Sequence, residues 1–147
     1  MLFDIIIAMK DDKYFLQIAT DEGNNKPEPY NFGAVIVKDG EIIAKDFNHV
    51  HENNDPSAHA EVSALRKAAA KLGNYNLDGA IMYGSHEPCL MCFSCAAWAN
   101  IARVVYAIPA SEQDDFSYEF KDTSLKDLAS KLIRRPISVE LIRLIEE

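Results

Sequence analysis

The chain has 147 residues, of which 48% are hydrophobic and 26% charged, and its net charge is −8 at pH 7. This length suits one domain with its own core, and the composition excludes a disordered or fibrous protein. We therefore expect a single domain over residues 1–147. The excess of acidic residues disfavours nucleic acid as a partner, because a negative surface repels phosphate groups.

The N-terminal apolar run and the cysteines indicate the cellular compartment. The apolar run Ile5–Met9 is too short to span a bilayer and is flanked by acidic residues, so neither a signal peptide nor a membrane segment is predicted. Three cysteines, Cys89, Cys92 and Cys95, lie within seven residues. Such an odd cluster suits metal binding better than a disulfide framework and predicts a cytoplasmic protein.

The N-terminal third predicts a helix and a hairpin. Apolar and charged residues recur at loosely helical spacing over Lys10–Glu22, and Gly23 is expected to end this helix. Two runs rich in β-branched residues, Gly33–Lys38 and Glu41–Phe47, flank the dipeptide Asp39-Gly40. Because Asp-Gly favours a two-residue turn, these runs predict a pair of antiparallel strands.

The middle of the chain predicts alternating helices and strands. Asp55 as a cap and apolar residues at helical spacing predict a helix over Pro56–Leu72. The apolar runs Ala80–Tyr83 and Arg103–Ile108 predict buried strands, with a helix over Cys89–Asn100 between them. A strand, a helix and a strand in this order predict a parallel pair.

The C-terminal part leaves two alternatives open. A capping box that begins at Ser124 predicts a helix to about Ile133. The run Ile137–Ile145 fits either a strand or a helix, since its apolar spacing suits both. The alternating aromatic residues of Phe116–Phe120 fit either an edge strand or a lid over a pocket.

Candidate metal ligands lie at the starts of two predicted helices. His59 precedes Glu61 by two residues, and Pro88 comes directly before the pair Cys89 and Cys92. At a helix start, two such thiolates share one side of the first turn, and the helix dipole favours their deprotonated form. With His59 as the third ligand, zinc would keep its fourth position open for water, as in catalytic sites. Glu61 is then the candidate proton carrier.

Cys95 has a different prediction. Six helical residues place it about 9 Å along the helix axis from Cys89. One ion cannot comfortably hold all three sulfurs over that distance, so Cys95 is predicted to be a core thiol.

Three segments, Gly33–Gly40, Asp55–Glu61 and Glu87–Cys92, occur together over roughly residues 10–110. The last two contain H-x-E and P-C-x-x-C, the signature of zinc-dependent nucleobase deaminases. In this order the segments resemble the cytidine and deoxycytidylate deaminase superfamily, and within it the branch of guanine deaminases and tRNA adenosine deaminases. The resemblance implies a three-layer α/β/α fold with a mixed five-stranded sheet, a bound Zn²⁺ and a homodimer.

The same resemblance implies roles for single residues. The residues that match the zinc ligands are His59, Cys89 and Cys92. Glu61 matches the general acid and base. Asn48 matches an asparagine that hydrogen-bonds the base, although it also fits a plain polar residue at a strand end, and Ala60 would line the pocket.

The segment after Ile108 departs from the tRNA-acting members. Acidic and aromatic residues replace their Asp-x-Lys-x-Gly-Ala pattern. Asp114 or Asp115, followed by Phe116, resembles the Asp-Asp segment that guanine deaminases place over the active site. The sequence therefore favours hydrolytic deamination of a purine base or nucleoside, guanine or guanosine-like, without tRNA as a partner. The alternatives are a tRNA adenosine-to-inosine deaminase and, from another class, a non-catalytic zinc-stabilised binding module.

Overall fold

The structure is a computed structural model that describes residues 10–25, 30–113, 119–120 and 122–144. The strands of these residues are β1 (Gly33–Lys38), β2 (Glu41–Phe47), β3 (Ile81–His86), β4 (Arg103–Ile108) and β5 (Ser138–Leu141). The helices are α1 (Asp12–Asn24), α2 (Val50–Asn53), α3 (Ala60–Leu72), α4 (Leu90–Trp98) and α5 (Leu125–Ala129), with a 3₁₀ turn at Ala110–Glu112. No helix among the described residues combines the length and the apolar character needed to cross a membrane.

The strands form one mixed sheet in the spatial order β2-β1-β3-β4-β5. Strand β1 pairs antiparallel with β2 and β3, whereas β3 with β4 and β4 with β5 pair parallel. The predicted hairpin and the predicted parallel pair are therefore confirmed. Asp39 and Gly40 turn the hairpin with φ angles of 51° and 77°, the positive values that a two-residue turn of this kind needs.

Helices cover the sheet on both faces. On one face, Phe15 and Leu16 of α1 pack against Val35, Tyr83 and Val105. On the opposite face, α3, α4 and α5 cover a second core cluster that includes buried residues of β1, β3 and β4. These central strands are buried on both sides, which explains their nearly continuous apolar sequences. The three-layer α/β/α prediction is confirmed.

The topology brings the starts of α3 and α4 to the same edge of the sheet. Strands β2 and β3 run in the same direction, because β1 lies between them and is antiparallel to both. Helix α4 begins soon after the end of β3, and α3 follows β2 by way of the short helix α2. The two helices contact each other, so their N-terminal ends lie side by side.

Helix α3 begins at Ala60, four residues later than predicted. The Asp55 side chain does not cap the helix, because its Oδ1 accepts hydrogen bonds from the Ser57 amide at 2.9 Å and the Ser57 hydroxyl at 2.7 Å. This local turn competes with helix formation, as is common for aspartate. His59 has an extended backbone and directly precedes the first helical residue. Its side chain can therefore extend away from the helix axis.

The prediction that Gly23 ends the first helix is wrong, since α1 continues to Asn24. Gly23 permits close packing instead: a Cβ atom there would lie 2.4 Å from the carbonyl oxygen of Asn31. A Cβ on Gly33 would lie 1.9 Å from the carbonyl oxygen of Ala19. The two glycines therefore allow α1 to touch the backbone at the start of β1.

The C-terminal elements also differ from their predictions. Ser124 caps α5 as predicted, since its Oγ accepts from the Asp127 amide at 3.2 Å, but the helix ends at Ala129 instead of Ile133. Within the undecided run, Ser138–Leu141 forms strand β5. Pairing with β4 decides this, because a free parallel edge offers the segment backbone hydrogen bonds.

Candidate active site

Three potential metal ligands meet where α3 and α4 begin. His59 immediately precedes α3, and Cys89 immediately precedes α4. His59 Nδ1 lies 3.6 Å from Cys89 Sγ and 3.5 Å from Cys92 Sγ, and the two sulfurs lie 3.6 Å apart. Cys92 is fully buried. The structure thus brings together the three residues that the sequence selected.

The spacing of these atoms fits a zinc ion. With zinc–sulfur bonds of about 2.3 Å and a zinc–nitrogen bond of about 2.0 Å, tetrahedral geometry separates two sulfurs by about 3.8 Å and a sulfur from a nitrogen by about 3.5 Å. The observed separations agree with both values. Histidine and cysteine are also the donor types that zinc prefers. A tetrahedral ion on these three ligands has one position left for another molecule.

Glu61 is the acidic residue beside this cluster. It lies in the first turn of α3, is only 5% exposed, and its Oε2 is 3.4 Å from Cys92 Sγ. Burial raises the pKa of the Glu61 carboxyl, since it penalises the charged form. A buried carboxyl group this close to one of the three ligands is placed to exchange protons with a molecule bound at the cluster.

The cluster's own contacts set its protonation without a metal. The hydrogen bond from Cys92 lowers the pKa of Cys89 to about 4, so Cys89 is a thiolate at neutral pH. The hydrogen bond between His59 and Cys89 raises the pKa of His59. The hydrogen bond between Cys92 and Cys89 raises the pKa of Cys92. Because the pKa of Cys92 lies well above its ordinary value, metal binding must displace the proton of this thiol.

Asn48 directly follows β2 and is 5% exposed. Its Oδ1 accepts from the Val50 amide at 2.9 Å, and its two Nδ2 protons have no acceptor among residues 10–25, 30–113, 119–120 and 122–144. A buried donor without a partner costs free energy, so such groups commonly meet a ligand or water. Asn48 therefore has the free donors that its predicted role requires.

His49 holds the turn after Asn48 in place. Its Nε2 lies 2.6 Å from Asp46 Oδ1, and its Nδ1 lies 2.7 Å from Glu52 Oε2. Burial lowers the pKa of His49, but these two carboxylates offset that effect and raise it overall. The His49 amide also donates to the Ala58 carbonyl at 2.9 Å, which ties this turn to the residue before His59.

The other predicted site residues have different outcomes. Ala60 is fully buried in the core cluster, and its role in the pocket stays a prediction. Asp114, Asp115 and Phe116 lie outside the described residues. Cys95 packs against the core cluster, outside the His59, Cys89 and Cys92 group, as predicted for a core thiol.

Glu87 is a residue whose part the sequence did not reveal. It is 6% exposed, and its two carboxylate oxygens accept from the backbone amides of Ala110 and Leu125, each at 3.2 Å. These amides lie on either side of the segment that contains Asp114. Glu87 therefore holds Ala110 and Leu125 close to the start of α4. The sequence feature that could have pointed to this residue is an acidic residue directly before Pro88.

His86 is the last residue of β3 and is half-buried. Burial lowers the pKa of His86 to about 4, so that its ring is neutral at physiological pH. Its surroundings distinguish it from a surface histidine.

Comparison with known proteins gives the family. Residues 9–108 match the model of the cytidine and deoxycytidylate deaminase zinc-binding region. Guanine deaminase of Bacillus subtilis is 48% identical over 98 residues, which are 67% of this chain and 63% of that protein. Its crystal structure matches with a TM-score of 0.66 at 46% identity, covering 69% of this chain and 67% of the other.

Proteins named for tRNA are also similar. A tRNA-specific adenosine deaminase of Aquifex aeolicus is 39% identical over 97 residues, 65% of this chain and 64% of that protein. A structure from a study of A-to-I editing by tRNA:A34 deaminases matches with a TM-score of 0.74 at 29% identity, covering 87% of this chain and 96% of the other.

The alignments with both curated relatives cover slightly less than two thirds of the relatives' lengths. The family model nevertheless covers more than half of this chain and describes a zinc-binding region. It confirms the predicted resemblance and the predicted zinc cofactor, and the cluster of His59, Cys89 and Cys92 is a site that could hold the ion. The chain belongs to the cytidine and deoxycytidylate deaminase family.

Proposed function

We propose that the protein hydrolytically deaminates a purine base or nucleoside, with guanine or a guanosine-like compound as substrate, and releases ammonia. The observation that carries this proposal is the buried Glu61 carboxyl, 3.4 Å from Cys92 Sγ in the three-ligand cluster. The 48% identity to a guanine deaminase supports the choice of base.

His59, Cys89 and Cys92 would hold the zinc ion. When bound, zinc supplies the chemistry of a water molecule whose pKa falls to about 7. Three protein ligands are typical of catalytic sites, whereas structural sites have four. A purely structural site would also have no use for a buried carboxyl group beside it, and this argues against the non-catalytic binding module.

Glu61 would carry both protons of the reaction. It accepts a proton from the attacking water, whose oxygen bonds to the ring carbon that bears the amino group, and passes that proton to the adjacent ring nitrogen. It then takes the remaining proton from the hydroxyl group now bonded to that carbon and transfers it to the amino group; the carbon–nitrogen bond breaks, and ammonia leaves behind a ring carbonyl. One carboxyl group serves both steps because it acts first as a base and then as an acid.

Asn48 would hold the base in register. Its free Nδ2 donors suit oxygen or nitrogen acceptors on the ring. The bond from the His49 amide to Ala58 keeps this part of the chain close to His59. Ala60 and the neighbouring backbone would complete the wall of the pocket.

The direct test is ammonia release from a panel of guanine, guanosine, adenine, cytosine, cytidine and tRNA by the zinc-loaded protein. We expect guanine or guanosine to give the highest kcat/KM. Turnover of cytosine or cytidine alone would contradict a purine substrate. Release from none of the panel would favour the binding module.

Adenosine-to-inosine editing of tRNA is the second candidate, because a tRNA-specific adenosine deaminase is 39% identical to this chain and a structure from a study of tRNA:A34 deaminases has the same fold. Binding distinguishes the two candidates. With a net charge of −8, we expect tRNA to bind more weakly than micromolar in about 150 mM salt, since phosphate contacts need clustered cations. A submicromolar complex whose affinity falls steeply with salt would establish the editing function instead.

The segment around Asp114 supports a further expectation about the substrate. Glu87 anchors Ala110 and Leu125 on either side of it, and a flat base needs apolar cover and a few fixed polar groups. We expect Asp114→Ala or Asp115→Ala to lower kcat/KM at least a few-fold, at unchanged zinc content. If both variants retain full kcat/KM, the segment is not part of the site.

Assembly and location stay predictions. A homodimer is supported by the exposed apolar side chains of Trp98 and Ile133, 69% and 97% exposed in the single chain. They border a groove of about 370 Å³ beside α4 and α5. A cytoplasmic location is supported by the clustered thiols.

A further inference from the structure

His86 contacts Phe32 across two neighbouring strands. Ala34 of β1 pairs with Gly84 of β3, and continuing this ladder by two residues sets Phe32 opposite His86. The two rings meet edge to face, with their centroids 4.4 Å apart and their planes at 79°. The alignment of β1 with β3 therefore extends to Phe32, the residue directly before β1.

The other neighbour of Phe32 is Asn48. Gly33 of β1 pairs with Phe47 of β2, and one further residue sets Phe32 opposite Asn48. The residues Asn48, Phe32 and His86 thus form a row across three strands. Its ends are two inter-strand spacings apart, about 10 Å, with the Phe32 side chain between them.

The row lies on the side of the sheet that holds Glu61. Side chains alternate between the two faces of a strand, and Met82 of β3 is buried in the core cluster with α3. Two residues on, a Cβ atom on Gly84 would lie 3.7 Å from Glu61 Oε1. His86 comes two residues later on that same face, towards Cys89.

The hydrogen bonds of His86 determine where its ring proton lies. The Gly33 amide donates to Ser85 Oγ at 3.0 Å, and Ser85 Oγ lies 2.8 Å from His86 Nδ1. The Ser85 hydroxyl proton has no other acceptor in the part of the chain that the structure describes, so it goes to Nδ1. The neutral ring then carries its proton on Nε2, for which the described residues offer no acceptor.

We propose that His86 is a specificity-determining residue that donates a hydrogen bond from Nε2 to an acceptor on the purine, across the row from Asn48. This rests on the proposed deaminase function and narrows its substrate. The groups without a partner among the described residues are the Asn48 Nδ2 protons and the His86 Nε2 proton, and all of them are donors. Guanine presents two adjacent acceptors, O6 and N7, whereas adenine presents an amino donor beside N7. A pair of donors therefore selects the guanine-type edge.

The test uses variants that separate the donor from the ring. His86→Phe keeps an aromatic ring against Phe32 but has no donor, and His86→Gln returns an N–H group. We expect His86→Phe to raise KM for guanine about tenfold with little change in kcat, and His86→Gln to recover most of the loss. His86→Leu is a second donor-free variant, should phenylalanine overpack. Zinc content and thermal stability confirm that each variant is folded.

A binding measurement separates this inference from the deaminase proposal. Hypoxanthine keeps O6 and N7 but has no 2-amino group, so the protein cannot deaminate it. Its Kd, measured by calorimetry, therefore reports the hydrogen bond from His86 without any contribution from turnover. We expect His86→Phe to weaken the binding of hypoxanthine about tenfold. This loss of affinity should vanish for the ligand that lacks the atom contacted by His86, which is 7-deazahypoxanthine if that atom is N7 and purine if it is O6.

Equal penalties on all three ligands would show that His86 only supports Phe32, and no penalty on hypoxanthine would show that it does not touch the base. Either result overturns the inference while leaving an active wild-type deaminase in place. A wild-type protein that turns over no purine would instead refute the proposed function.

Discussion

Replacing Glu61 with glutamine is expected to lower kcat/KM on the best purine by on the order of 10³-fold, the usual range for loss of a general acid and base. The amide has nearly the same size as the carboxyl group, so it fits the same buried position beside Cys92. It cannot accept and release protons, however. Ammonia release and zinc content, measured on the same preparation, separate loss of catalysis from loss of the site.

A matched control for this variant is Glu41→Gln, the same chemical change at an exposed position where β2 begins. It is expected to retain wild-type turnover. Normal turnover by Glu61→Gln would show that another group moves the protons. Loss of zinc from Glu61→Gln, in contrast, would make Glu61 part of the metal site.

Cys89→Ser is expected to reduce zinc from about one ion per chain to a small fraction of that. The site offers three protein ligands within about 3.6 Å of one another, so the loss of one thiolate leaves only two. A serine hydroxyl is a poor substitute, because it stays protonated at neutral pH and zinc prefers thiolate. Metal analysis of the purified variants measures the effect directly, without any substrate.

Cys95→Ser is the control, since Cys95 packs against the core and lies outside the cluster. Its zinc content is expected to equal that of the wild type. Burial raises the pKa of the Cys95 thiol, which also makes it a weaker ligand than Cys89. The ligand assignment is wrong if Cys95→Ser loses zinc while Cys89→Ser keeps it.

Local sequence signals were sufficient for much of the fold. The Asp39-Gly40 turn and its flanking β-branched runs specify a hairpin, because the turn geometry depends on those two residues alone. The strands around α4 follow from short apolar runs that must be buried on both faces. The candidate ligands could be chosen in the same way, since the spacing of Cys89 and Cys92 matches one helical turn.

Competition between local structures was harder to predict. Asp55 suits either a helix cap or a tight turn with Ser57, and the turn forms. Gly23 has the properties of a helix end, yet it serves a contact with Asn31 that lies in a different segment. In both cases the residue type permits two structures, and the contacts that the residue makes determine which one forms.

The sequence by itself determined which residues belong to the metal cluster, because the motifs H-x-E and P-C-x-x-C contain them within a few positions of one another. Only the tertiary structure decided how far apart their donor atoms lie and which residues join them from other strands. Phe32 and His86 are 54 positions apart and meet through the register of β1 with β3. Pairing between distant strands depends on the whole sheet, so no local pattern identifies His86 as a neutral hydrogen-bond donor.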